Sequence, residues 1–370
     1  MTLKRNSKLF LVLFLGTLSA FGPFVTDLYL PALPTMSSYF NSSTSTIQLT
    51  LTGSMVGLAL GQLLIGPISD KYGRKNPLII SLIVYLISTI AIIIFPNVYA
   101  MIALRFIQGV SSAGAVVISR AISTDLYHGR ELAAFFALLM AVNGLAPILS
   151  PILGSLLLEL TDWRGIFVTL ALIGVILLAV SFKFNESLAI EKRLDLPITK
   201  TYYSIVHVAK NRLFFALVII QGFTLAAMFA YIAASPFILQ THYSLSPLMY
   251  SLCFGLNGFA IVLGSKSAGN FKEKVSIKLG LSLMLLVSIY LAVALTLTLP
   301  FLFIEVGFFL LLLGLGFILP AGSAIAMSLE RERAGSASAF FGFVPFFLGG
   351  VVSPLVGIGN IFHSSAIAIV

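Results

Sequence analysis

Long apolar runs separated by short polar turns fill the chain from end to end. Eleven of them reach membrane-spanning length: Leu9–Met36, Thr46–Ile68, Pro77–Phe95, Val98–Ser119, Leu132–Leu158, Gly165–Phe182, Leu213–Leu239, Pro247–Leu263, Leu279–Leu299, Leu302–Met327 and Ala334–Ile358. One span needs about 20 apolar residues. Hydrocarbon offers no water to backbone N–H and C=O groups, so each run is predicted to be an α-helix that pairs them internally. A twelfth run begins around His363, and the sequence ends at Val370.

Composition points the same way. Hydrophobic residues make up 59% and charged residues 9%, against about 45–50% and about 25% in soluble proteins. So few polar side chains cannot clothe a water-exposed surface, and the predicted class is an all-α polytopic membrane protein with short loops. The formal charge of +9 does not indicate a nucleic-acid partner, because the basic residues are scattered between apolar runs and form no stripe. A single cysteine, Cys253, excludes an internal disulfide framework and a cysteine metal cluster. The histidines His128, His207, His242 and His363 lie far apart, and neither H-E-x-x-H nor G-x-S-x-G occurs. No enzyme, metal or cofactor is expected.

The basic residues carry a topology signal instead. With the N-terminus inside, 20 of the 22 Lys and Arg residues fall on inner segments, Arg164 falls outside and Arg105 lies within a span. This asymmetry predicts an N-in orientation in the cytoplasmic membrane. Lys4, Arg5 and Lys8 ahead of an apolar run imitate a secretory signal. The run continues to Leu33 and further spans follow, so it is read as a retained first helix.

The chain also repeats itself. Arg130 and Arg333, Asp70-Lys71 and Glu273-Lys274, and Ser150-Pro151-x-x-Gly154 and Ser353-Pro354-x-x-Gly357 all stand 203 residues apart. The longest polar stretch, Lys183–Arg212, lies between the two copies. The expected organisation is an N-terminal six-helix bundle over 1–182, a cytoplasmic linker over 183–212, and a C-terminal bundle over 213–370. Parallel repeats of this kind place a substrate near the midplane between halves. The same offset puts the end of a twelfth helix near position 385, so only the start of that helix is expected within the 370 residues.

Four groups of residues carry candidate chemistry. The first is the turn Gly66-Pro67-Ile68-Ser69-Asp70-Lys71-Tyr72-Gly73-Arg74-Lys75. Gly66 suits close helix approach and Gly73 a tight turn. Asp70 suits either a helix N-terminus or a cation, and Arg74 can fork onto a carboxylate. Charge pairs here would latch two halves in one state and part in another. The second is Asp27, a carboxylate within a span. Such a charge is unfavourable by roughly 2.5–3.5 kcal/mol on insertion scales, so it is expected to face a cavity and exchange a proton; a capped carboxylate at the helix end is the plainer alternative. Third, Arg105 and Gln108 share a helix face, either biasing that proton site or fixing helix packing. Fourth, Tyr29, Asn143, Gln221, Tyr231 and Asn257 are polar groups within spans, suited to lining a cavity or to joining helices. Glu305, near the start of its span, reads as a headgroup-level carboxylate, with a second proton carrier as the alternative.

The turn matches the signature loop G-x-x-x-D-[RK]-x-G-R-[RK] and thereby resembles the major facilitator superfamily. Thr26-Asp27-Leu28-Tyr29-Leu30-Pro31-Ala32-Leu33-Pro34 resembles the first helix of the Bcr/CflA drug-resistance exporters. Arg105-Phe106-Ile107-Gln108-Gly109 is similar to the fourth-helix motif of drug–proton antiporters. Asn143–Pro151 and Asp162-Trp163-Arg164-Gly165-Ile166-Phe167 resemble the same subfamily. The antiporter motif on the fifth helix departs from its G-P-x-x-G-G ending and reads Ser150-Pro151-Ile152-Leu153-Gly154-Ser155; with Pro147 it keeps the means for a bend and for close packing. The resemblance implies two pseudo-symmetric six-helix bundles, a monomer, and efflux of small toxic compounds driven by a proton gradient. A metabolite transporter on the same fold and a degenerate, non-transporting membrane protein are the alternatives.

Overall fold

Six of the twelve described α-helices begin where the sequence supplies a capping side chain. Ser7 accepts from the Phe10 N–H ahead of α1 (Lys8–Asp27), and Ser43 from Thr46 ahead of α3 (Thr44–Tyr72). Asn97 caps α5 (Val98–Leu126), Asp162 caps α7 (Trp163–Lys183), Asn211 caps α8 (Arg212–Pro236) and Ser246 caps α9 (Pro247–Ala268). Each cap supplies an acceptor to an N–H group that has no partner in its own helix. The remaining helices are α2 (Leu33–Tyr39), α4 (Lys75–Ile94), α6 (Gly129–Leu160), α10 (Glu273–Thr296), α11 (Phe301–Leu329) and α12 (Ala334–Leu355). A π-helical stretch, Phe237–His242, prolongs α8. The computed structural model describes residues 7–127, 129–193, 207–330, 334–359, 361–362 and 364–365.

Among the described residues, ten helices are long and apolar enough to cross a membrane, with α1 and α2 counted as one span. The eleventh predicted span is α6, whose described apolar part is Gly144–Leu160. The start of a twelfth helix falls partly on residues 360, 363 and 366–370, outside the described set.

Two differences from the predicted spans have plain causes. The first run is not one helix: α1 ends at Asp27, a 3-10 turn covers Leu30–Ala32, and α2 follows. Pro31 and Pro34 lack the N–H groups that would bond the carbonyls of Asp27 and Leu30, so the helical ladder cannot continue through them. Elsewhere helices outrun the apolar stretch, α3 to Tyr72 and α5 to Leu126. The apolar run measures hydrocarbon thickness, whereas the helix persists into the polar layer wherever its backbone still pairs.

The repeat is visible in the elements. The bounds of α5 and α11 differ by 203 at both ends, as do the first residues of α3 and α9. In the first half (α1–α7), α3 packs along α5, α1 against α5 and α6, and α4 against α5 and α7. In the second (α8–α12), α9 and α10 pack on α11, and α8 on α12. The halves meet along two seams, α3 on α12 and α6 on α9, and the repeat offset exchanges one seam for the other.

Candidate functional site

Between the seams lies a cavity of about 190 Å³. The first half lines it with Gly22, Pro23, Thr26, Asp27, Leu58 and Pro147; the second with Met228, Phe229, Tyr231, Ile232, Phe254, Gly258, Ile261, Leu312 and Phe346. Among the described residues of this lining, Asp27 is the only carboxylic acid, and it is 8% exposed. No ion pair among the described residues involves it. It stands at the last residue of α1, where the prolines that follow end the helix. Elsewhere the lining is aliphatic and aromatic, a surface suited to greasy molecules of varied shape.

Arg105 and Gln108 do not reach this cavity. Both are fully buried inside the first half. The Arg105 guanidinium donates from Nη1 to the Val25 carbonyl at 3.0 Å and to Gln108 Oε1 at 2.5 Å, and from Nε to the Thr50 carbonyl at 3.4 Å. It lies 4.3 Å from the centre of the Tyr29 ring, a cation–π contact. Gln108 Nε2 continues the network to Thr89 Oγ1 at 2.7 Å. Arg105 therefore clamps α5 to α1 and α3, and its hold on Val25 fixes the backbone two residues from Asp27. Tyr29 belongs to the same cluster, fully buried with its hydroxyl 3.2 Å from Thr50 Oγ1, and is not in the cavity lining.

Of the other cavity candidates, Tyr231 lines it. Asn257 stands one layer behind, donating from Nδ2 to the Tyr231 hydroxyl at 3.1 Å and to Glu305 Oε1 at 3.0 Å. Gln221 lies about three turns along α8 from Tyr231, facing Gly322 on α11 rather than the cavity. Asn143 is on α6, and its side chain lies outside the described residues. Glu305 departs from the headgroup expectation: it is 6% exposed, because α9 and α10 both pack over the first turns of α11.

The signature turn joins α3 to α4. Gly73 has φ +89°, a left-handed conformation that glycine adopts without strain, and a Cβ there would meet Glu186 at 2.5 Å. Arg74 is buried and donates from Nε to Asp125 at 2.9 Å, and from Nη1 to Asp70 at 2.5 Å and to Ser69 at 2.8 Å. Burial alone would lower its pKa; hydrogen bonds and charge from Asp125 and Asp70 outweigh that and hold it above the usual arginine value. The carboxylate at the N-terminus of α4 is not Asp70 but Glu186, which accepts from the Arg74 and Lys75 N–H groups at 2.9 and 3.1 Å. Lys75 Nζ caps the end of α7 through the Phe182 carbonyl at 2.8 Å, and Lys71 Nζ lies 5.8 Å from the Tyr72 ring centre. These partners all come from the first half and the segment just after it, so in this structure the charge pairs do not bridge the halves. A Cβ on Gly66 would find its nearest neighbour, Val117, at 3.7 Å, ordinary contact, so Gly66 is not the point of closest helix approach.

The bend motif on α6 does bridge them. The Pro151 carbonyl accepts from Ser251 Oγ of α9 at 2.8 Å, and its repeat, the Pro354 carbonyl, accepts from Ser45 Oγ of α3 at 2.9 Å. Ser150 bonds back to the Ala146 carbonyl at 2.6 Å. A Cβ on Gly154 would stand 1.9 Å from the Leu28 carbonyl, so only glycine lets α6 approach the break after α1 this closely. Gln48 to the Ala233 carbonyl and Gln240 to the Pro31 carbonyl add two more cross-half bonds. All four lie toward the end of the molecule that carries Trp163, opposite the end that carries Arg74.

The Major Facilitator Superfamily profile matches residues 9–354. The chain belongs to the major facilitator superfamily. This facilitator is 37% identical over 362 residues to the uncharacterized MFS-type transporter YdgK of Bacillus subtilis, covering 96% of the chain and 90% of that protein. It is 28% identical over 273 residues to the bicyclomycin resistance protein homolog of Haemophilus influenzae, covering 74% of the chain and 69% of that protein. The multidrug transporter MdfA of Yersinia pestis is 26% identical over 255 residues, 68% of the chain and 61% of that protein. Among solved structures, the nucleoside transporter NupG superposes with a TM-score of 0.76 at 14% identity, covering 97% of this chain and 95% of that one. The xylose transporter XylE of E. coli, in a partially occluded inward-open conformation, gives 0.73 at 13%, covering 98% and 95%. The fold is that of membrane transporters, not enzymes.

Within this facilitator, sequence reasoning missed Glu186 and set Glu305 at headgroup level, with a second proton carrier as the alternative, where the structure buries it. Glu186 sits in the stretch read as linker, and its signal was available: an acid just past the end of α7, opposite the N-terminus of α4. The depth of Glu305 carried no local signal, since burial there depends on helices distant in sequence.

Proposed function

We propose that the chain exports small, drug-like compounds across the bacterial cytoplasmic membrane in exchange for protons, with Asp27 carrying the proton. The observation that supports this most is the placement of Asp27: a carboxyl with no ion pair among the described residues, in the wall of a mostly apolar cavity between two halves that repeat one another. Charge on that carboxyl favours a substrate bearing positive or donor groups, and a proton on it removes the attraction. Proton and substrate then compete for one site, the minimal requirement for exchange. Phe229, Tyr231, Phe254 and Phe346 supply apolar and ring surface for substrates of differing outline. Relatives named for bicyclomycin, chloramphenicol and multidrug resistance agree with this substrate class.

The basic residues favour a cytoplasmic N-terminus, which puts the Arg74 end inside and the bonded Trp163 end outside. In that orientation the structure is a state closed toward the exterior. Residues 1–182 and 213–370 then act as the two bundles, joined by 183–212, in a single chain working as a monomer. A cavity of about 190 Å³ is smaller than the roughly 300–1,000 Å³ of drug-sized sites, so the bundles must part at the Arg74 end to admit substrate.

The test is Asp27→Asn in inverted membrane vesicles, with uptake of a lipophilic cationic dye driven by an imposed pH gradient. Wild type concentrates the dye when the vesicle interior is acidic, and the variant loses gradient-driven uptake by at least tenfold. Full coupling in the variant moves the proton site elsewhere, and wild-type transport in the opposite sense contradicts export.

A further inference from the structure

The second half contains an acid that the exchange scheme above leaves unused. Glu305, in the second turn of α11, is 6% exposed. Its Oε1 accepts from Asn257 Nδ2 at 3.0 Å, while Oε2 is buried without a hydrogen-bond partner. None of the described ion pairs involves it. The titratable neighbours on the elements packed against α11 are uncharged types: Tyr231 from α8, Tyr250 and Cys253 from α9, and Tyr290 from α10, whose hydroxyl donates to the Phe303 carbonyl. The charged residues of α10 sit in its first two turns, at its opposite end, and α12 has none. A carboxylate oxygen in hydrocarbon with no cation, and with no donor beside it stronger than the Cys253 thiol, is unfavourable by several kcal/mol. A bound proton relieves that penalty, and a change of state that opens the group to water removes it.

The group is also connected to the cavity. The same Nδ2 that donates to Glu305 donates to the Tyr231 hydroxyl at 3.1 Å, and Tyr231 shares the cavity wall with Asp27. The Tyr231 ring is held by Phe254, stacked at 5.7 Å, and by Phe308, edge-on at 4.9 Å. The equivalent helices of the first half, α1, α3 and α5, bury a cation, Arg105, whose Nε and Nη1 are bonded while Nη2 has no hydrogen-bond partner; α8, α9 and α11 bury an acid with one oxygen likewise without one.

We infer that Glu305 is a second proton-exchanging acid of this transporter, acting on the cavity through Asn257 and Tyr231. The inference rests on the reading of the chain as a proton exchanger, but not on Asp27 being the first site. Two exchangeable acids, one in each half, let the transporter move two protons per cycle and so use the membrane potential even for a singly charged substrate.

Infrared difference spectroscopy of the full chain in liposomes tests this by following the carboxylic C=O stretch as the pH is stepped across neutrality. Two components are expected in wild type, one lost in Asp27→Asn and the other in Glu305→Gln. Glutamine keeps the size of the side chain and the acceptor for Asn257. Should that variant fail to assemble, Glu305→Asp decides, because it displaces the Glu305 component in frequency and leaves that of Asp27 in place. A spectrum that substitution at Glu305 leaves identical to wild type overturns the proposal. If Asp27→Asn removes nothing while the Glu305 component is present, the assignment of Asp27 fails and that of Glu305 stands.

Discussion

At the scale of single residues, the three acidic or basic side chains buried within the spans, among the described residues, do three different things, and their partners tell them apart. Asp27 faces a cavity without an ion pair, Arg105 is held by carbonyls, Gln108 and a ring, and Glu305 has a partner on one oxygen only. Asp27 and Arg105 stood out in the sequence because charge is rare within spans. The division of labour did not, since it depends on which atoms lie across the helix interface. Tyr29 shows the limit: it is two residues from Asp27 yet fully buried on Thr50, because the chain leaves the helix after Asp27 and re-aims the side chains that follow. Arg105→Lys tests the packing role. An ammonium cannot fork to Val25 and Gln108 or lie flat on Tyr29, and hydrogen bonds to a charged group are worth about 1.5–3 kcal/mol each. The variant is expected to unfold at a distinctly lower temperature in detergent, with Asp27→Asn unchanged. An unaltered melting temperature for Arg105→Lys contradicts the clamp.

At the scale of elements, the repeat was legible because three short segments shared one offset, and the helices keep that offset to the residue at both ends of α5 and α11. The break between α1 and α2 was only half legible. Pro31 and Pro34 end the ladder through their missing N–H groups, but that α6 packs Gly154 against the Leu28 carbonyl at this break depends on a helix distant in sequence. The role of the Ser-Pro-x-x-Gly motif was not legible either. A helix carbonyl has a second lone pair beyond its backbone bond, and what donates to it is set by the opposite half. Here the donors are Ser45 and Ser251. Interhelical hydrogen bonds in membranes average about 0.6 kcal/mol. Removing both with Ser45→Ala and Ser251→Ala is expected to shift the balance several-fold toward opening at the Trp163 end, read as a longer distance distribution between spin labels there. No change in that distribution contradicts a latching role.

At the scale of the whole molecule, the two seams α3–α12 and α6–α9 are equivalent under the repeat, so rocking about one is matched by rocking about the other. The structure bonds the halves toward the Trp163 end and keeps the Arg74 network within the first half. Equivalent seams give such a molecule two related ways to close, and the cavity with Asp27 lies between them. The sequence revealed two halves and an acid within a span but no state, because a state is a choice between interfaces that one sequence supports equally. The claim on which the account turns is that this cavity is reached from one side at a time and from both sides in turn. Thr26 lines the cavity beside Asp27 and leaves the acid intact when replaced. Thr26→Cys in a Cys253→Ala background, challenged with a membrane-impermeant thiol reagent from each face, measures this directly. The account predicts labelling from both faces, with each rate changing oppositely when the pH gradient is reversed; labelling from one face alone, or from neither, would contradict it.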